Sequence, residues 1–235
     1  VPPRSHALHH PLPALLDVEQ FRSLPERHAV ARRMIHPTLV LGSTQRAEVV
    51  LAAPATENGV AVVRRRGGGG AVLLQPGDHL WVEAWIPRDD PLWAVDIAES
   101  AAWVGAWWRT ALEARGHGGL TVHAGPSAPG PHGALVCFSG RGPGEVFSGD
   151  RKVMGVSQWR SREGSLFHTS AYGHWDPLPL IDLLDVDAGR RKELRRDLPR
   201  AALGLADLPP TGSSLAEVEE TLLSSFPTWS EKAPR

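Results

Sequence analysis

The stretch Arg64-Arg65-Arg66-Gly67-Gly68-Gly69-Gly70-Ala71-Val72 runs three cations straight into four glycines. Each glycine loses more backbone freedom on folding than any other residue, so a run of four marks a sharp turn or a place of close approach. Bare N–H groups beside guanidinium groups suit an anion, a phosphate or a carboxylate. The same composition also suits a surface loop with solvated arginines. An apolar run at 59–63 leads into the loop. From His79 to Ile86, Leu80, Val82, Ala84 and Ile86 alternate with Trp81, Glu83 and Trp85, which is strand periodicity.

Upstream, the pattern predicts short helices at 14–21 and 26–34, a buried strand at 38–41 ending on Gly42-Ser43, a helix at 47–53 and a valine-rich strand at 60–65. Downstream, Gln75-Pro76-Gly77-Asp78 makes a turn. Residues 89–115 read as the longest helix, with Pro91 in its first turn and Val104, Trp108, Ala111 and Leu112 on one face. Short strands follow at 120–123 and 134–139. A Gly149-Asp150 turn opens a strand from Lys152, Arg162-Glu163-Gly164 turns it back, and 165–172 returns. Helices follow at 177–184, 190–196 and 215–226, the last capped by Ser213 or Ser214. Residues 1–13 and 230–235 read as loose tails. The sum is an α+β fold, a mixed β-sheet with flanking helices. The organisation expected is an N-terminal extension with helices over 1–37, a core over 38–185, and a C-terminal helical segment of the same domain over 186–235.

The chain has 235 residues, 42% hydrophobic and 22% charged, with a formal net charge of -1. That balance argues against a nucleic-acid partner. Cys137 is the single cysteine, which excludes an intrachain disulfide and a zinc site of paired cysteines and fits the cytoplasm. No apolar run approaches the ~20 residues that span a bilayer, so no membrane partner is expected. Nine tryptophans against one tyrosine read as core mass.

Lys152 stands out as the catalytic candidate. It lies between a turn and a strand whose Met154-Gly155 permits close approach, and a lysine there can meet a carboxylate and a phosphate together. His168, on the return strand, either donates to a ligand oxygen or packs in the core. Cys137, in an apolar stretch without an adjacent base, reads as core. Arg190, Arg191, Lys192, Arg195 and Arg196 read as a solvated helix face or as a surface for an acidic partner. His6, His9 and His10 have no carboxylate at ligand spacing.

Two stretches together, Arg64-Arg65 before Gly68-Gly69-Gly70-Ala71-Val72 and then Asp150-Arg151-Lys152-Val153-Met154-Gly155-Val156-Ser157-Gln158, resemble lipoate–protein ligases of the lipoate ligase A type. More broadly they resemble the biotin/lipoate ligase-like catalytic domain. Phe167-His168 and Leu41-Gly42 fit the same order.

The resemblance implies activation of lipoate or octanoate by ATP with Mg2+, as acyl-adenylate, and transfer to a lysine of a lipoyl-carrier domain. That carrier would belong to a 2-oxoacid dehydrogenase or a glycine-cleavage protein, with a separate small accessory domain as a further partner. By position, Arg65 would hold the phosphate or carboxyl end. Gly68, Gly69, Gly70, Ala71 and Val72 would line the trough, and Lys152 would bridge carboxylate and α-phosphate. Gly155, Val156 and Ser157 would border the nucleotide, Asp78 would stand near the phosphates, and His168 would reach the ligand. No protein-bound metal site is implied. The sequence departs from the family pattern at Leu73 and Leu74, where an aromatic and a histidine are usual, and the usual Asn-Asp pair aligns with Gly133-Ala134. Two other readings are an ATP-independent octanoyl or lipoyl transferase, with Cys137 as the available thiol, and a non-catalytic relative that binds an acyl ligand.

Overall fold

The computed structural model describes residues 18–210 and 213–227. The tails at 1–13 and 230–235, the early histidines and the first part of the 14–21 helix lie outside them. In chain order the elements are α1 (Glu19–Arg22), β1 (His28–Arg32), β2 (Thr38–Leu41), α2 (Ala52–Glu57), β3 (Ala61–Arg64), β4 (Val72–Leu74), β5 (His79–Pro87), α3 (Ile97–Ala114), β6 (Leu120–Val122), β7 (Val146–Ser148), β8 (Arg151–Arg160), β9 (Gly164–Tyr172), α4 (Leu178–Leu183), α5 (Ala188–Asp197) and α6 (Leu215–Ser224).

The expected α+β class holds. Six strands form one sheet in the order β1-β5-β9-β8-β7-β6, antiparallel throughout. A smaller sheet, β3-β2-β4, supplies the mixed pairing: β3 runs parallel to β2 and β4 antiparallel. The alternation in β5 sorts its two faces. Leu80, Val82, Ala84 and Ile86 join Val104, Trp107, Trp108 and Leu112 of α3 in the main core. On the other face Trp81 packs with Val40, Val72 and Leu74 of the small sheet. The tryptophans of α3 are core mass, as read: Trp103, Trp107 and Trp108 are buried. Among the described residues no helix is long and apolar enough to cross a membrane.

Four local readings are corrected. The expected helix at 26–34 is strand β1, because pairing His28–Arg32 with Trp85–Trp81 of β5 buries Val30 and Ala31 more fully than a lone short helix could. The long helix begins at Ile97 rather than near Pro91. Asp96 caps it by accepting from Glu99 N, and the preceding turns are tied down by a buried Arg27–Asp90 ion pair at 2.8 Å. Residues 47–53 form a 3-10 turn, Ala47–Val49, before α2 begins at Ala52. Residues 134–139 make no strand. They turn, bridge Ala71 through Val136, and close in a 3-10 turn at Cys137–Ser139. The C-terminal cap is as expected, with Ser214 and Glu217 forming a reciprocal capping box.

Candidate functional site

β3 delivers Arg65 to the start of the glycine loop, and β4 leaves from its end. Between them the loop is held by backbone. Ser43 N donates to Gly67 O, Ala71 N to Leu135 O, and Cys137 N to Ala71 O. Gly69 has φ +98, a left-handed conformation that disfavours side chains. At Gly70 a Cβ would stand 2.6–2.7 Å from Val136 N, Cys137 N and Gly133 O, so the loop and the 133–137 turn touch backbone to backbone. At Gly68 nothing lies within 4 Å of the Cβ position, and that glycine faces open space.

Arg65 is turned inward. It is 2% exposed, and its guanidinium donates to Gly68 O at 2.6 Å, Gly70 O at 2.9 Å and Val40 O at 3.4 Å, with Nε 3.3 Å from Ser157 Oγ. Burial pulls its pKa below the usual arginine value. The side chain braces the loop from beneath.

Lys152 lies at the start of β8, 1% exposed, and its backbone pairs with the 201–203 segment. Its Nζ donates to Cys137 O at 2.7 Å and meets both carboxylate oxygens of Glu145, at 2.8 and 2.7 Å. The rings of Phe138 and Phe147 stand 5.7 and 6.0 Å from the ammonium. Glu145, 3% exposed, also accepts from Gly142 N at 2.6 Å. Burial pushes its carboxyl above the ordinary value, while Lys152 opposes that shift. Glu145 is the functional candidate that the sequence reading passed over. It stands immediately before β7, the strand that precedes the lysine strand. Its place immediately before a strand that leads through the Gly149-Asp150 turn to Lys152 was the available signal.

These groups line one cavity of about 400 Å³. Its wall includes Gly68, Gly69, Gly70, Lys152, Val156 and Ser157 from the expected set. Cys137 and Glu145 join them, with Ile97 and Ala101 of α3 opposite. Cys137 is thus part of the cavity wall and half-buried, not a core strand residue. Its thiol lies beside Gly69 and Gly155: Cβ atoms placed on them would stand 3.9 and 3.7 Å from Sγ.

The other expected site residues fall elsewhere. Ala71 and Val72 pack in the two cores flanking the small sheet. Gly155 lies behind Cys137, beside the Phe138 ring. Asp78 lines a second cavity of about 290 Å³, where its Oδ1 binds His174 Nδ1 at 2.9 Å and raises that imidazole's pKa. His168 is buried between its cross-strand neighbours Glu83 and Ser157. Burial, with the Arg65 and Arg32 cations, pulls it down to about 3, so the ring is neutral. Burial likewise pushes Glu83 up to about 7, against the opposing pull of Arg32 at 2.8 Å. The basic run on α5 is largely consumed within the fold: Arg191 donates to the carbonyls of Ile181 and Leu184, Arg195 pairs with Asp182, and Arg196 with Asp197.

The cavity therefore offers a fixed cation, exposed loop backbone, one carboxylate and one thiol. That set can stabilise negative charge developing on a carboxyl or phosphoryl group.

A family model described as the lipoyl protein ligase A/B catalytic domain matches residues 23–227. Among solved structures, the chain resembles the bipartite lipoate protein ligase of Thermoplasma acidophilum, described with its E2 lipoyl domain. The TM-score is 0.71 at 22% identity, over 94% of this chain and 80% of that one. Protein Ta0514 of the same organism, solved with lipoic acid, gives 0.68 at 21% identity over 90% and 77%. A lipoate-protein ligase A bound with ATP gives 0.66 at 22% identity, again over 90% and 77%. A comparison with curated proteins gives no match.

Proposed function

The chain belongs to the lipoyl protein ligase A/B catalytic domain family, and from that premise we propose that it transfers a lipoyl or octanoyl group to a lysine of a lipoyl-carrier domain. The observation that carries this reading is Lys152, held by Glu145 and Cys137 O in the wall of a cavity that also exposes Gly68 and Gly69. In the ligase form, the carboxylate of the acid attacks the α-phosphate of ATP and pyrophosphate leaves, giving acyl-adenylate. The amine of the carrier lysine then attacks the acyl carbon and AMP leaves, forming the amide. Lys152 would sit between the two anions and stabilise the charge that builds as they join. Loop N–H groups would receive phosphate or carbonyl oxygens.

Mg2+ belongs to the nucleotide substrate in this reading. Among the described residues no three His, Cys, Asp or Glu side chains gather as a resident metal site, and Glu145 is committed to Lys152. The ATP-bound and lipoate-bound relatives support the substrate pair, and the bipartite relative supports a separate accessory chain.

A second reading is favoured by the position of Cys137. Its thiolate could take an acyl group from a carrier thioester, releasing the carrier thiol, and pass it to the acceptor amine. Lys152 would then stabilise the tetrahedral oxyanion. One experiment separates the two. Pyrophosphate exchange with lipoate or octanoate, lost by a factor of about 100 or more in Lys152→Ala, is expected for the ligase. Absence of exchange with a folded protein and its accessory chain supplied sinks that form. An octanoyl adduct on Cys137 in the intact-protein mass, absent from Cys137→Ser, would establish the transferase. Acid binding without either signal leaves only a binding protein.

A further inference from the structure

Arginines and tryptophans stack around the outer end of β8, just beyond its cavity-lining residues Val156, Ser157 and Gln158. The Arg66 guanidinium lies 5.4 Å from the Trp159 ring centroid. Arg88 and Arg160 both stack on Trp93, at 4.7 and 5.1 Å. This group continues the cavity wall: Trp159 and Arg160 follow Gln158, and Arg66 stands two residues before Gly68, both wall residues. Ile97, also in the wall, is 62% exposed, and Val95 beside it is 80% exposed.

The charges here are unbalanced. Arg22, Arg27, Arg32, Arg33, Arg115 and Arg195 each find a carboxylate within 4.0 Å. Among the described residues Arg66, Arg88 and Arg160 form no such ion pair. Arg160 instead donates to the carbonyls of Val95 and Ala94. Burial and the charge of Arg88 both lower its pKa, and Asp96, which already caps α3, is the acid that opposes them. Arg88 and Arg160 share the Trp93 ring and repel each other, a repulsion that an anionic partner would relieve. β8 loses its β7 neighbour beyond Met154 and pairs only with β9 from Gly155 onward. Consecutive strand residues face opposite ways, so Trp159 with Arg66, and Arg160 with Arg88, bracket that free edge from both sides. A single phosphate does not span two faces of a sheet, whereas a protein surface does. Exposed Val95 and Ile97 suit a protein better than a polyanion.

Resting on the carrier-lysine reading above, we propose that Arg66, Arg88 and Arg160, with Trp93 and Trp159, form the docking surface for an acidic face of the acyl-carrier domain beside its acceptor lysine. The surface sets the orientation in which the lysine enters the cavity.

The test uses the apo lipoyl domain of a 2-oxoacid dehydrogenase as carrier. Arg66 and Arg88 make no side-chain hydrogen bond among the described residues, so Arg66→Glu/Arg88→Glu is expected to fold, checked by thermal unfolding. Its KM for the carrier should rise about tenfold, while acid activation measured without carrier stays unchanged. Carrier KM of the unaltered protein should also rise severalfold between ~50 and ~300 mM salt. An unchanged carrier KM in the variant overturns the proposal. So does a loss of acid activation at constant carrier KM, which would assign the arginines to the small substrates. Tighter binding of an RNA oligonucleotide than of the lipoyl domain, abolished in the variant, also overturns it. If the variant does not fold, the salt dependence decides, and a flat KM refutes the surface. Failure of the unaltered protein to acylate any lipoyl domain is a different result: the proposed function has then failed, and the docking surface falls with it.

Discussion

Glu145→Gln keeps the shape of the side chain and removes the charge that faces Lys152. At the 2.7 Å separation of Nζ and Oε2, the gross attraction is about 6 kcal/mol for an effective dielectric of ~20. Desolvation of two buried ions offsets much of it, but removing one partner leaves the other buried and uncompensated, which costs about 3–5 kcal/mol. Lys152 would keep Cys137 O at 2.7 Å and two ring faces, and the new amide oxygen still accepts one hydrogen bond. The expected loss is therefore at the low end, about 3 kcal/mol. In a chain of this length that lowers Tm by about 10 °C. Thermal and urea unfolding at neutral pH of Glu145→Gln, Lys152→Met and the double variant test the assignment. The double variant should be more stable than the two losses added together, by about 2 kcal/mol, because the uncompensated charge is gone. Glu145→Gln within about 0.5 kcal/mol of the unaltered protein, or strict additivity in the double variant, would refute the buried-pair account.

The remaining predictions concern the loop, the buried histidines and the C-terminal helix. Gly70→Ala should destabilise by more than about 2 kcal/mol, because its Cβ meets three backbone atoms, while Gly68→Ala should fold normally; equal urea midpoints for the two would contradict the loop geometry. Burial holds His79 and His168 at about 3 in the folded protein, so the unfolded chain binds more protons below 6.5 and stability should fall as pH drops from there toward 3, by up to ~1.4 kcal/mol per pH unit for each. Glu83, raised to about 7, acts oppositely between 4.5 and 7, so Glu83→Gln should steepen the loss in that window; an unchanged slope in urea titrations would count against it. Ser214→Ala removes the cap of α6 and should cost about 1 kcal/mol in the same assay, with no effect on Lys152 chemistry.

Period and punctuation were enough to place β2, β5, β8, β9 and α6 from the residues alone. Each carries its own signal: strict alternation, an apolar run between turns, or a serine cap. The glycine loop and Lys152 were recognisable for the same reason, since runs of glycine and a cation after a turn are local features. β1, β4 and β7 carried no such signal. β1 takes its conformation from β5 and β4 from β2, partners distant in sequence, while β7 is only three residues long and is fixed between β6 and β8.

The same division runs through the site. Composition and motif order determined the α+β class, the anion-seeking loop and the lysine that accompanies it. Tertiary structure alone decided which side chains face the cavity. It turned Arg65 under the loop as a brace, moved Asp78 and His168 away from Lys152, and brought Glu145 and Cys137 to it. Whether a polar group meets a ligand or a backbone carbonyl depends on what lies within about 3 Å of it, and contacts made across sheets and loops leave no trace in local sequence period.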